Sequence, residues 1–291
     1  MIDSNLRKRL EITFQSLNSY AAVNSFPEPA ILSKSLETIL RTLRKTGHNQ
    51  TSVDPQVARL FATAAVEIWQ RGVHSFLISA SLTEASPIWA SVSGYYSSHY
   101  AIRALAHLLG YFQLFQIGYI VQLELLPSGN FACTFTAKQG EREHQFYWNI
   151  VQKNPSLNSD PLFALSGAGN VNPDGEHRNR ANYADHISLF PPFRVLNQQA
   201  LENRVEHISQ ITFSAPPIPQ ISKFPDIDCV QIIAYHRLVR FRQIIDEIAG
   251  GSNRFWSVHR NPSWARGIIN FQLMEQGGLN SFATYYRDPL I

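Results

Sequence analysis

Apolar positions in the first part of the chain recur at three- and four-residue intervals. In "AILSKSLETILRTLRKTG", Ala30 to Gly47, they fall at Ile31, Leu32, Leu36, Ile39, Leu40 and Leu43. That spacing predicts a helix closed by basic residues and a stop glycine, after an irregular start. "SVDPQVARLFATAAVEIWQRG" predicts a second helix, with Asp54 as N-cap and Pro55 in the first turn. Nothing in "VHSFLIS" breaks it, so the helix is expected to run on past Gly72 toward Ser81.

The most apolar long segment follows, Ser86 to Gly118. Small residues (Ala90, Ser93, Gly94, Ser97, Ser98) line its first half, so a neighbouring helix can approach closely. It reads as the central helix of a bundle. The period then changes. "YIVQLELLPSGNFACTFTAKQGEREHQFYWNIV" alternates apolar and polar residues, with turns at Pro127-Ser128-Gly129-Asn130 and Gln139-Gly140. This predicts a small antiparallel insertion, a hairpin extended to three strands, at about 119–150. From Asp160 the pattern returns to helix through "SGAGNVNPDG". After the proline-rich "FSAPPIPQISKFP" come two further helices, "IDCVQIIAYHRLVRFRQIIDEIAGG" and "SWARGIINFQLMEQGG". The chain is expected to be mostly α.

Composition narrows the class. Of the 291 residues, 44% are hydrophobic and 16% charged, a globular balance. The net charge of +3 permits an anionic partner without demanding one. Cys133 and Cys229 sit in apolar surroundings and form neither a disulfide framework nor a zinc pattern, so buried free thiols in a reducing compartment are expected. The N-terminus lacks the apolar run of a signal peptide. No window matches a membrane span; the nearest, around Leu105 to Val121, is broken by His107, Gly110 and Gln113. A cytoplasmic protein without a membrane partner is expected.

Several motifs invite chemistry. "SGAGNVNPDG" lacks the lysine ending of a phosphate loop and reads as a connector. The ten histidines show no HxxxH or HExxH spacing, so no metal site and no cofactor is expected. Tyr95, Tyr96, His99, Tyr100 and Arg103 lie on the central helix, where buried, hydrogen-bonded polar groups are the default. His236, Arg237 and Arg240 share one helical segment. They form either a solvated face or a groove for a nucleic-acid backbone. Arg254 and Arg260 stand among Phe255, Trp256 and Trp264, which suits stacking on unpaired bases or arginine stems lying over a half-buried core.

The densest set is "HRNRANYADHISLF", His177 to Phe190. Arg178, Arg180 and His186 are what metal-free cleavage of RNA requires. A histidine can move a proton at neutral pH, and a forked cation can hold phosphorane oxygens. On an ideal helix Arg178 and His186 differ by about 80°, Arg180 and His186 by about 240°. Arg180 would therefore meet the histidine across a bend or from a partner subunit.

These segments resemble the HEPN superfamily (higher eukaryotes and prokaryotes nucleotide-binding domains). "SVSGYYSSHYAIRALAHLLGY" resembles the family's central helix, and "RNRANYADH" its Arg-x-x-Ala-Asp/Asn-Tyr stretch and ribonuclease motif. The likeness covers roughly Val53 to Phe190. It implies an up-down helical bundle over 53–190; the N-terminal helical extension over 1–52 lies outside the likeness, and the β insertion and the proline-rich linker with extra C-terminal helices over 191–291 match nothing in the family. The likeness implies a homodimer pairing two Arg/His sets and a metal-independent endoribonuclease of a toxin–antitoxin or antiviral-defence system. An antitoxin or other regulatory protein would be its partner. Arg180 and His186 have the motif spacing. Arg178-Asn179 has the motif's polar follower, with Asn179 as an orienting group. Ser188 stands where one branch carries a tyrosine modified by its antitoxin. The alternative is an inactive helical adaptor that binds a nucleotide, nucleic acid or protein.

Overall fold

The computed structural model describes residues 3–21, 29–114, 118–138, 140, 143–158, 160, 162–163, 198–211 and 226–249. Among the described residues helix predominates, joined by one small antiparallel sheet. The chain begins with α1 (Ser4–Ala21), not with an irregular segment. Asp3 caps it: its Oδ1 accepts from the backbone N–H groups of Asn5 and Leu6 at 3.1 and 2.9 Å. Helix α2 (Pro29–Lys45) follows, and Gly47, with φ of 84°, ends the turn beyond it.

Three helices make the centre. α3 (Pro55–Leu82) runs through Gly72, as its unbroken pattern predicts. α4 (Pro87–Leu108) returns antiparallel to it: Ser79 Oγ donates to Ala90 O at 2.6 Å, and Ser97 Oγ to Gly72 O at 2.7 Å. The last described helix, Asp226–Ala249, lies against both. A Cβ at Gly94 would stand 2.7 Å from Val230 Cγ1, and one at Gly72 2.8 Å from Leu238 Cδ2. The small residues of α4 therefore admit two neighbours, not one. Trp69 ties α3 to this last helix, with Nε1 donating to Leu238 O at 2.9 Å and its ring stacked on Phe241. A single buried cluster includes Trp69, Phe76, Leu105, Leu238 and Phe241, so the region after the proline-rich segment is built into the central bundle.

Strand β1 (Gln50–Val53) precedes α3, and β2 (Tyr111–Leu114), β3 (Tyr119–Leu125) and β4 (Phe131–Ala137) follow α4. The sheet order is β1-β4-β3-β2, with Val53 opposite Phe131, Val121 opposite Phe135 and Phe112 opposite Val121. One face carries Phe112, Leu114, Val121, Leu123, Phe131, Cys133 and Phe135 onto Leu36 and Leu40 of α2 and Phe61 of α3.

Two expectations are corrected here. The central helix stops at Leu108 rather than continuing toward Gly118. Gly110 takes φ of 91°, Arg9 Nη2 donates to Leu108 O at 2.8 Å, and the next residues pair as β2. The third strand of the insertion is instead helix α5 (Glu143–Lys153). Phe146, Tyr147, Ile150 and Val151 fall three to four residues apart, and α5 turns Phe146, Tyr147 and Val151 inward, so helical burial overrides the strand-like run of aromatics. The remaining helices become α6 (Gln198–Gln210) and α7 (Asp226–Ala249).

Candidate functional site

The described residues concentrate titratable and aromatic groups where α5 crosses α4. Tyr95, Tyr96, His99, Tyr100, Arg103 and His107 follow one another along α4, and α5 brings His144 and Tyr147 against them. The Tyr95 hydroxyl and His144 Nδ1 are 2.5 Å apart, a short hydrogen bond. The His99 and His144 rings stack with centroids 3.9 Å apart and planes 20° from parallel. Tyr95 is stacked on His144 as well, at 5.5 Å. The Arg103 guanidinium lies 5.3 Å from the centre of the Tyr147 ring.

Depth divides this set. His107 is fully buried; one face of its surroundings is Phe112 at 5.0 Å and another Tyr147 at 5.5 Å. Its Nδ1 is 2.8 Å from Arg103 O. Burial, and then the nearby Arg103 charge, hold its pKa well below the ordinary histidine value against the opposing effect of that backbone bond. His107 is a neutral packing residue. Tyr96, by contrast, reaches solvent with its ring edge-on to Tyr95 and His144.

The α7 segment is different from either alternative read in its sequence. Arg237 is wholly inside the protein. Its Nε donates to Leu162 O at 3.0 Å, its Nη1 donates to Ser98 Oγ, and its guanidinium lies 4.6 Å from the Trp148 ring centre. It is a strut between α4, α5 and the chain near Leu162, and cannot touch a nucleic-acid backbone from there. Arg240 Nε donates to Asp160 Oδ2 at 2.7 Å, which spends its charge on an ion pair. Burial lowers His236 to a pKa of about 4, so it carries no charge at neutral pH; a backbone bond with Ile211 opposes that shift. His236, Arg237 and Arg240 thus form no continuous basic face.

No protein family, curated protein or solved structure matches the chain.

Arg178, Asn179, Arg180 and His186 lie outside the described residues, as do Arg254 and Arg260. Among the described residues no cluster of three or more His, Cys, Asp or Glu side chains could hold a metal ion, and no helix is long and apolar enough to cross a membrane. The structure brings together a constellation that sequence reasoning left dispersed: Tyr95, Tyr96, His99 and Tyr100 with His144. The first four were read as interior residues of one helix. His144 escaped notice because its segment was read as a strand. The signal that could have found it is the four-residue spacing of Phe146 with Ile150 and Tyr147 with Val151.

Proposed function

We propose that the chain is a metal-independent endoribonuclease of HEPN type, acting as a toxin or antiviral-defence effector. The reading rests on two stretches in order: the Tyr-Tyr…Arg-Ala-Leu pattern now placed on α4 at the centre of a helical bundle, then Arg180 and His186 with five residues between. His186 takes the proton from a ribose 2′-hydroxyl, whose oxygen attacks the adjacent phosphorus. Arg178 and Arg180 hold the phosphorane oxygens, and Asn179 orients the phosphate or the imidazole. The P–O5′ bond breaks, the leaving oxygen receives a proton, and the products are a 2′,3′-cyclic phosphate and a 5′-hydroxyl. Two copies of the chain, each lending an arginine to the other's histidine, complete the pair of sites.

His186→Ala is expected to lower the cleavage rate by about 10²- to 10⁴-fold, the usual contribution of a positioned acid or base. Cleavage should persist in EDTA, and a 2′-deoxy substitution at the cut position should block it. Mixing Arg178→Ala/Arg180→Ala chains with His186→Ala chains should restore part of the activity. Undiminished cleavage by His186→Ala, or a strict requirement for Mg²⁺, would remove this mechanism, and no recovery on mixing together with a monomeric mass in solution would favour the adaptor reading.

A further inference from the structure

Helix α4 has an outward side of unusual composition. Trp89, Ser93, Tyr96, Tyr100 and Arg103 are spaced four, three, four and three residues apart, which aligns them along one side of the helix. Trp89 is 59% and Tyr96 36% exposed, while Ser93, Tyr100 and Arg103 are half-buried. Nothing aliphatic interrupts the stripe. Large rings left in water along one line mark a surface that is used.

The rings are also held in place. Tyr96 meets Tyr95 edge-on at 5.4 Å and His144 at 5.9 Å, and its centroid lies 6.4 Å from that of Tyr100. Behind them, the Tyr95–His144 hydrogen bond and the His99–His144 stack lock the supporting layer. A ring fixed from behind loses little rotamer freedom when something flat settles on it. Charge selects among flat partners. From Pro87 to Leu108 α4 has no aspartate or glutamate and one full cation, Arg103, while His99 and His107 are buried beneath the stripe; Glu143 is the one acidic residue of α4 and α5 together. An aromatic line on a helix without carboxylates, bordered by a cation, suits a π-face joined to an anionic backbone. We infer that this stripe is a stacking platform for unpaired bases of single-stranded RNA. Tyr96 and Tyr100, one turn apart, take neighbouring bases, Trp89 extends the line two turns away, and Arg103, half-buried at the far end of the line, supplies its positive charge.

This inference rests on the proposal that the protein acts on RNA, but its test is separate from cleavage. The probe is a single-stranded 2′-O-methyl oligoribonucleotide, which lacks the attacking hydroxyl, and affinity is followed by fluorescence anisotropy at fixed salt. Tyr96→Ala and Tyr100→Ala should each weaken binding about ten-fold, the scale of one lost base stack. Tyr96→Phe keeps the ring and should bind as the wild type does. A duplex of the same sequence, its bases already stacked, should not distinguish Tyr96→Ala from wild type. Equal affinity of wild type and Tyr96→Ala for the single strand would overturn the platform, even where cleavage still depends on His186. Conversely, Tyr96-dependent binding in a protein that cleaves nothing would uphold the platform and reject the nuclease. A fall in solution mass in Trp89→Ala/Tyr96→Ala, with RNA affinity unchanged, would assign the stripe to pairing between copies and overturn the inference.

Discussion

Helices α4 and α7 lie side by side, and each reverses the facing that residue polarity alone suggests. α7 buries an arginine, Arg237, between Ser98, Leu162 O and the Trp148 ring. α4, the more apolar of the two, leaves Trp89 and Tyr96 in water. The difference follows from what each helix must touch. α7 lies against the small residues of α4: Gly94 lets Val230 approach closely, and Ser98 accepts a hydrogen bond from the Arg237 side chain. Among the described residues α4 is walled by α3, α7 and α5, while Trp89 and Tyr96 on it stay exposed. Polarity alone does not tell which way a residue faces; the space opposite it does.

Removing the strut should have the largest consequence. Arg237→Ala takes away the partner of Ser98 and Leu162 O and opens a void beside Trp148, at a cost of about 3 kcal/mol or more. Chemical denaturation of the variant measures it. A loss no greater than that of a surface substitution would erase the contrast between the two helices.

Acid should act on the same region next. The buried, neutral forms of His236 and His107 have lowered folded pKa values, His236 to about 4, against about 6.5 in an unfolded chain. Their contribution is fully present above about pH 6.5. As pH falls from there toward 4 the unfolded chain takes up protons that the folded one refuses, and stability drops by up to about 1.4 kcal/mol per pH unit for each group. Melting temperatures across that window should show the fall, and His236→Asn should flatten it by one proton. A profile unchanged by His236→Asn would mean that this histidine charges freely in the fold.

The close contact of the two helices gives a smaller effect. In Gly94→Ala the new Cβ would stand 2.7 Å from Val230 Cγ1 and 3.0 Å from Ser79 Oγ. Overpacking should outweigh the gain in helix propensity and leave a net loss of about 1–2 kcal/mol by denaturant titration. Smallest are the surface positions. Arg240→Ala, which breaks a part-exposed ion pair with Asp160, should cost less than about 1 kcal/mol. Tyr96→Ala should stay within about 0.5 kcal/mol of wild type in the same titration.

Much of the helical framework was legible beforehand because its cause is local. α2, α3 and α7 follow from three- and four-residue periodicity, and their ends from Gly47, Pro55 and the proline-rich stretch before Asp226. The strands were legible only where a turn lies between two alternating runs, as in β3 and β4. β1 was not, because its four residues become a strand through pairing with β4, some eighty positions away along the chain, as in Gln50 with Thr134. β2 was hidden by the apolar run it shares with α4. The site was legible as residue types and not as an arrangement. α4 is apolar nearly all round, so its periodicity could not single out the side on which Tyr96 stands. Arg237 looked like part of a charged face because the two hydrogen bonds and the ring that receive it come from three separate segments of the chain.

The N-terminal helix brings in the order of assembly. Arg9 finishes the last turn of α4 from 99 positions upstream, Asp3 N–H donates to Ser156 Oγ across 153, and Arg7 pairs with Glu247 across 240. Each bond closes a longer loop than the one before, and such contacts are among the slowest to form. α1 is therefore among the last elements to find its full set of neighbours. Until α7 has been synthesised, Arg7 has no Glu247 to meet. Until α4 is in place, the buried guanidinium of Arg9, whose pKa burial lowers to about 10, has no carbonyl of Leu108 to justify leaving water. Helix α1 serves as a closing clasp on the bundle.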